Sequence, residues 1–205
     1  MSELEKSYRR RYETVLVPIA MSLEAYLRDT FSGFPRIDRI AVRAKTPESF
    51  LEKARKQTDG AKKYDDPLGQ IQDQIGARVV TFYIPDVDNV AEESKKYFRS
   101  VEERDLVPDS EKEFDYIGKH FVVFVPTDVL DQEFSAEDIP KFFELQVKTL
   151  FQHAWAEANH DLAYKADEAL QKEQKRQVAF TAAQAWGADH IFEKLVTELG
   201  ASSQT

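Results

Sequence analysis

The chain has 205 residues, a formal net charge of −9, 42% hydrophobic and 12% aromatic residues, and no cysteine. That is apolar material for one substantial core, so a single domain is expected over residues 1–205. Disulfides and thiolate metal sites are excluded, and an acidic surface disfavours nucleic acid overall while leaving room for a local basic cleft.

The opening stretch MSELEKSYRRRYET lacks the apolar run of a signal peptide, and no run is long enough to cross a bilayer, which predicts a cytoplasmic location and no membrane partner. Tyr8, Tyr12, Val15, Ile19, Leu23 and Tyr26 recur at three- and four-residue steps and predict an amphipathic helix over about residues 3 to 29, bent at Pro18. RIDRIAVRAK reads as a strand ending near Lys45. Thr46 then suits a helix N-cap, Pro47 the first helical position and Glu48 the positive end of the dipole, for a helix over about 47 to 57. DGAKKYDDPLGQ is polar and turn-rich, and IQDQIGARVVTFYIP leads into a strand at about 77 to 84. A helix from Val87 to Phe98 follows. SVEERDLV and KHFVVFVP are two more strands separated by the polar PDSEKEFDYIG, and FFELQV is another. Two helices close the chain. One runs from about Lys148 to Lys165; the other has Phe180, Ala183, Ile191 and Leu195 as its stripe and ends near Gly200. The order predicts an α+β fold, a mixed sheet of about five strands flanked by helices, with a site on one sheet surface.

Four clusters carry residues that packing does not require. In RAKTPESFLEK, Arg43 and Lys45 leave a strand just before a helix N-terminus, with Ser49 and Lys53 one turn apart on that helix, an arrangement suited to phosphate. In DQIGARVV, Asp73 near a strand start suits Mg²⁺, which takes one or two carboxylates plus substrate phosphates; an Asx-type turn with Gly76 in a permissive conformation fits as well. In KEFDYIGKH, Lys112 suits phosphate and Tyr116 suits stacking on a base or covering the core, with His120 beyond. In FFELQVK, period-two alternation sends Glu144, Gln146 and Lys148 to one side and Phe143, Leu145 and Val147 to the other. His153 and His160 on the next helix are seven apart, too far for an i, i+4 zinc pair, and fit packing beside Trp155. No Gly-rich phosphate loop occurs, so side-chain cations must hold any nucleotide phosphates.

Taken in order, these clusters resemble the synthetase domain of the RelA/SpoT family, and the length resembles its single-domain small alarmone synthetases. The R-x-K-x3-S-x3-K pattern is met by Arg43, Lys45, Ser49 and Lys53, and D-x-x-G-x-R by Asp73, Gly76 and Arg78. K-x3-Y-x-S-x-H is met by Lys112, Tyr116 and His120, and E-x-Q-[IV]-[RK]-T by Glu144, Gln146, Lys148 and Thr149. Trp155, Ala156, His160, Tyr164 and Lys165 match the tail. The resemblance implies a nucleotidyltransferase-like fold and transfer of the β,γ-diphosphate of ATP to the 3′-hydroxyl of GTP or GDP.

By position it implies that Arg43 and Arg78 sandwich adenine while Lys45, Lys53 and Ser49 hold phosphates. Asp73 and Glu144 would bind Mg²⁺, Glu144 or take the hydroxyl proton. Tyr116 would stack on guanine, and Lys112, His120, Gln146 and Lys148 would position the acceptor. The resemblance is also compatible with a homotetramer, which nothing else in the sequence signals. Alternatives are an enzyme that modifies the 3′ end of tRNA, for which KARKQTDGAKK supplies cations, one that makes an adenosine alarmone, and a non-catalytic nucleotide-binding module. The departures are Gly118 where many members have Ser, Asp115 where Gly usually precedes the tyrosine, Lys148 for the commoner Arg, and Asn159 for Glu.

Overall fold

A computed structural model describes residues 1–58, 60–105, 116, 118–165 and 170–202. The first helix is interrupted before the proline rather than bent at it. Helix α1, Glu3–Arg11, is capped by Ser2, whose hydroxyl accepts from the Glu5 amide. A wide π turn over Tyr12–Leu16 separates it from α2, Val17–Thr30, and there the Val17 amide reaches back to the Tyr12 carbonyl. Pro18 has no amide hydrogen to give the carbonyl four residues before it, and the wider turn absorbs that loss.

Strand β1, Ile37–Ala44, leads through Lys45 to α3, Pro47–Ala54, where the Thr46 hydroxyl accepts from the Ser49 amide as the capping pattern predicts. A hairpin of two short strands, β2 (Gln57–Thr58) and β3 (Ala61–Lys62), and the one-turn α4, Pro67–Gln70, occupy the polar stretch in which no element is expected. Next come β4, Ile75–Thr81, and α5, Ile84–Tyr97. This helix starts earlier than the sequence suggests because Pro85 sits in its first turn, where a fixed φ favours it. The sheet is completed by β5, Ser100–Asp105, β6, Lys119–Phe124, and β7, Phe142–Thr149. Helices α6, Leu150–Lys165, and α7, Lys172–Ser202, follow.

The fold is α+β. Its five-stranded sheet has the order β1-β4-β7-β6-β5, with β4 and β7 parallel and the other pairs antiparallel. Strand alternation splits it into two faces. On one, Ile40 pairs with Val79 and Ala77 with Leu145, and these pack with Leu16, Ile19, Leu23, Val87 and Val90 from the helices beneath. On the other, Arg43, Gly76 and Glu144 lie in one row across three strands, and Ala41, Arg78, Gln146 and His120 in the next across four.

Helix α7 differs from its predicted stripe. Phe180 and Ile191 are each 63% exposed, and the positions turned inward are Ala182 and Asp189, both 0% exposed. Seven residues separate that pair, two helical turns on one face. Among the described residues no helix is long and apolar enough to cross a membrane.

Candidate active site

The sheet face opposite the core gathers most of the motif residues. Lys45 Nζ lies 3.2 Å and Lys53 Nζ 2.8 Å from the same oxygen, Asp73 Oδ2. Lys45 is held in place by its own backbone: its amide donates to the Gln74 carbonyl, and its carbonyl accepts from the Tyr8 hydroxyl, whose ring stacks on Phe50 of α3. Ser49 is exposed at the N-terminal turn of α3, beside the two lysines in sequence. Asp73 Oδ1 is buried and has no hydrogen-bond partner among the described residues.

Glu144 stands across the Gly76 row from Arg43. Its Oε1 lies 2.9 Å from His120 Nδ1 and accepts from Gln146 Nε2 at 2.7 Å, so both bonds fall on one oxygen. Burial alone would raise this carboxyl, but the bonds from His120 and Gln146 and the charge of Lys53 outweigh it and bring the pKa down to about 2. Lys53 thus ties the two carboxylates into one electrostatic unit. Gly76 between them is an extended strand residue, and a Cβ there would meet nothing within 4 Å. The permissive-conformation reading of this glycine therefore falls: its lack of a side chain leaves open space on the sheet face between Arg43 and Glu144.

Among the described residues, six buried side-chain polar atoms lack a partner, and four belong to motif residues of this face: Asp73 Oδ1, Arg78 Nε, His120 Nε2 and Gln146 Oε1. Buried polar atoms in native proteins are nearly always paired, so this concentration marks a place where a polar ligand completes the bonding. Hard carboxylate oxygens with one unpaired atom also fit Mg²⁺. The described residues contain no group of three or more His, Asp or Glu able to hold a metal alone, so such an ion would need oxygens from the substrate.

A match to the region found in RelA/SpoT proteins spans residues 42–169. The chain belongs to the RelA/SpoT family. A GTP pyrophosphokinase of Bacillus subtilis, YjbM, is 31% identical over 170 residues, 76% of this chain and 74% of that protein. The structure of a GTP pyrophosphokinase family protein from Streptococcus pneumoniae superposes with a TM-score of 0.77 at 23% identity, covering 98% of this chain and 97% of that one. The small alarmone synthetase 1 of Bacillus subtilis bound to its product pppGpp gives a TM-score of 0.72 at 24% identity, covering 92% of this chain and 98% of that one.

Not every motif residue of this RelA/SpoT chain reaches the open face. Lys112 and Asp115 lie outside the described residues, as do the side chains of Tyr164 and Lys165. Lys148 was expected to extend the polar face, but it is 3% exposed, and burial, with Arg78 adding to it, lowers its pKa to about 8. Tyr116 does not present its ring to the cleft. It is 4% exposed, packs with Trp155 and Ala182, and donates its hydroxyl to Asp189 Oδ2 at 2.7 Å. Stacking on a base requires the ring to leave that position. Asp189 also accepts from Thr149 Oγ1 at 2.5 Å, and Thr149 forms a reciprocal cap with Gln152 at the start of α6.

Asp189 and Glu157 carry interactions that sequence spacing did not reveal. Glu157 pairs with Arg78, and its i, i+4 relation to His153 was the available signal.

Proposed function

We propose that this protein is a cytoplasmic, ATP-dependent GTP pyrophosphokinase that makes (p)ppGpp. The 3′-oxygen of GTP or GDP attacks the β-phosphorus of ATP, the bond from that phosphorus to the α-phosphate bridging oxygen breaks, AMP leaves, and the hydroxyl proton is released. Phosphoryl transfer of this kind needs in-line placement and charge neutralisation more than covalent catalysis. The observation that carries the reading is the concentration of unpaired buried polar atoms on Asp73, Arg78, His120 and Gln146, all on one sheet face.

Arg43 and Arg78 flank the open strip beside Gly76 and would take the adenine between them. Lys45 and Lys53, now shared by Asp73 Oδ2, would transfer their bonds to ATP phosphates, with the exposed Ser49 at the α3 N-terminus beside them. Asp73 and Glu144 would hold Mg²⁺, which supplies neutralisation of the phosphate charge that builds during transfer. A carboxyl with a pKa of about 2 is a poor proton store at neutral pH, so Glu144 acts by ionic charge and by accepting the hydrogen bond that orients the 3′-hydroxyl. His120 Nε2 and Gln146 Oε1, buried without a partner among the described residues, would bond the ribose of the acceptor.

The test offers the purified protein Mg²⁺ and labelled ATP with GTP, GDP, no further nucleotide or tRNA, and identifies products by mass spectrometry. A 3′-diphosphorylated guanine nucleotide with equimolar AMP is expected. Label on tRNA or on an adenine nucleotide moves the acceptor assignment, and no transfer to any of them sinks the reading.

A further inference from the structure

Arg78 is held by two residues of α6 that belong to none of the motifs. Its Nη1 lies 2.7 Å from Glu157 Oε1 and 3.3 Å from His153 Nδ1, while its Nε is buried without a partner. Guanidinium nitrogens only donate, so His153 Nδ1 accepts, which fixes the neutral imidazole with its hydrogen on Nε2. Burial and the neighbouring Arg78 charge both lower the His153 pKa, consistent with that neutral form. His153 and Glu157 are one turn apart on α6, so a single helix face grips the guanidinium at Nη1.

The N–H groups of a guanidinium lie in its plane, so a cation held through Nη1 keeps its two faces free. That is the orientation in which arginine stacks on a base, whereas an unheld guanidinium turns its edge toward the strongest nearby anion. Here the competing anions are close, because Glu144 lies on the adjacent strand and an incoming triphosphate would lie beside Lys45 and Lys53. The electrostatics agree. Burial would raise the Glu157 carboxyl, yet Arg78, His153 and Arg43 bring it below the usual carboxylate range, so one carboxylate answers to both arginines that border the Gly76 strip. Without it, Arg39, Arg43, Arg78 and Lys148 would share one face of the sheet with one fewer anion to offset them.

We propose that Glu157, assisted by His153, is a positioning residue that fixes Arg78 edge-on so that its face receives the base of the nucleotide donor. This rests on the reading that Arg78 packs against that base. Glu157 is 52% exposed, so its removal leaves the fold intact and isolates the effect on Arg78.

The experiment compares the full-length protein with Glu157→Ala, Glu157→Gln and His153→Ala. It measures binding of a non-hydrolysable ATP analogue by calorimetry, steady-state KM for ATP and for GDP, and the melting temperature. Losing one charge-assisted contact to a guanidinium predicts about tenfold weaker analogue binding in Glu157→Ala and a matching rise in ATP KM. The GDP KM stays at the parental value, and Glu157→Gln, whose amide oxygen still accepts from Arg78, recovers most of the loss. His153→Ala shows a smaller loss in the same direction. Parental analogue affinity in Glu157→Ala overturns the proposal, as does a glutamine variant no better than alanine. A joint rise of both KM values with a lower melting temperature also overturns it, because that is the signature of a tie between α6 and the sheet. If the parent itself neither binds the analogue nor transfers diphosphate, the functional reading falls and takes the positioning role with it; parental binding with an unaffected variant removes the positioning role alone.

Discussion

Replacing Glu144 by Gln separates the charge of this residue from its shape. The carboxyl titrates at about 2 in the folded chain against 4.5 for an ordinary glutamate. Because the folded pKa is depressed, the stabilisation is fully present above 4.5 and is lost as the pH falls through 4.5 toward 2. The whole gap converts to about 3 kcal/mol, of which about 2 kcal/mol is gone by pH ~3. The side chain is 23% exposed, so solvent screens little of this. A glutamine oxygen at the same place can still accept from Gln146 or His120, so the fold persists. Urea unfolding of parent and variant near pH 7 and pH 3 should therefore show the parent losing about 2 kcal/mol more than Glu144→Gln between the two conditions. At pH 7 the variant should also have lost transfer activity by at least about 10²-fold, the scale on which removing one preorganised electrostatic group acts. Equal acid losses in the two proteins would show that His120 and Gln146 do not stabilise this carboxylate. Parental turnover in the variant would remove Glu144 from the reaction altogether.

Three other perturbations follow from the same geometry. Gly118 has φ +96, and a Cβ there would sit 2.9 Å from both Lys148 Cγ and the Val147 carbonyl oxygen and 3.1 Å from Gln152 Oε1. Gly118→Ser should therefore destabilise by about 1–3 kcal/mol, read as a melting temperature lower by roughly 5 °C; an unchanged value refutes the crowding. Lys148→Met removes an ammonium whose folded pKa of about 8 lies below the ordinary 10.5, so the parent carries a penalty on the order of 3 kcal/mol at pH 7 that disappears as the pH rises through this window. The variant should be the more stable protein at pH 7, and the parent should gain on it between pH 8 and 10.5; parallel pH profiles would show that Lys148 is not held charged in a buried place. His153 must stay neutral to accept from Arg78, and its surroundings are Arg78, Glu157, Arg39 and Lys148. Its folded pKa is lowered, so stability and ATP affinity are full above 6.5 and decline as the pH falls below it, a decline that His153→Ala should abolish in an analogue-binding titration.

How far the sequence speaks for itself differs between local and distant chemistry. The two faces of β7 follow from alternation alone, since a period of two sends Glu144 and Gln146 one way and Phe143, Leu145 and Val147 the other wherever the strand pairs. The start of α3 is equally local: Thr46, Pro47 and Ser49 make the cap within four residues. Lys148 shows where this logic stops. Alternation places it on the polar face, but burial depends on what lies above it, and there Gly118 crosses so closely that a Cβ would touch its side chain. The spacing of FDYIG contains no sign that Tyr116 will be covered, because its partner Asp189 is 73 residues away on a helix whose apolar stripe pointed to other positions.

Glu157 illustrates the more general reason. A residue that touches a nucleotide is restricted to the types that can bind phosphate, metal or base, so its identity and spacing betray it. A residue that holds such a group in place needs only a correctly placed acceptor, and a glutamate on an exposed helix face is among the commonest residues in any soluble chain. What distinguishes Glu157 is its 2.7 Å approach to Arg78 from an element 79 positions later, a relation that arises only when β4 and α6 meet on the same side of the sheet. The groups proposed to orient the reaction are therefore written in the tertiary fold, and those proposed to perform it in the local sequence.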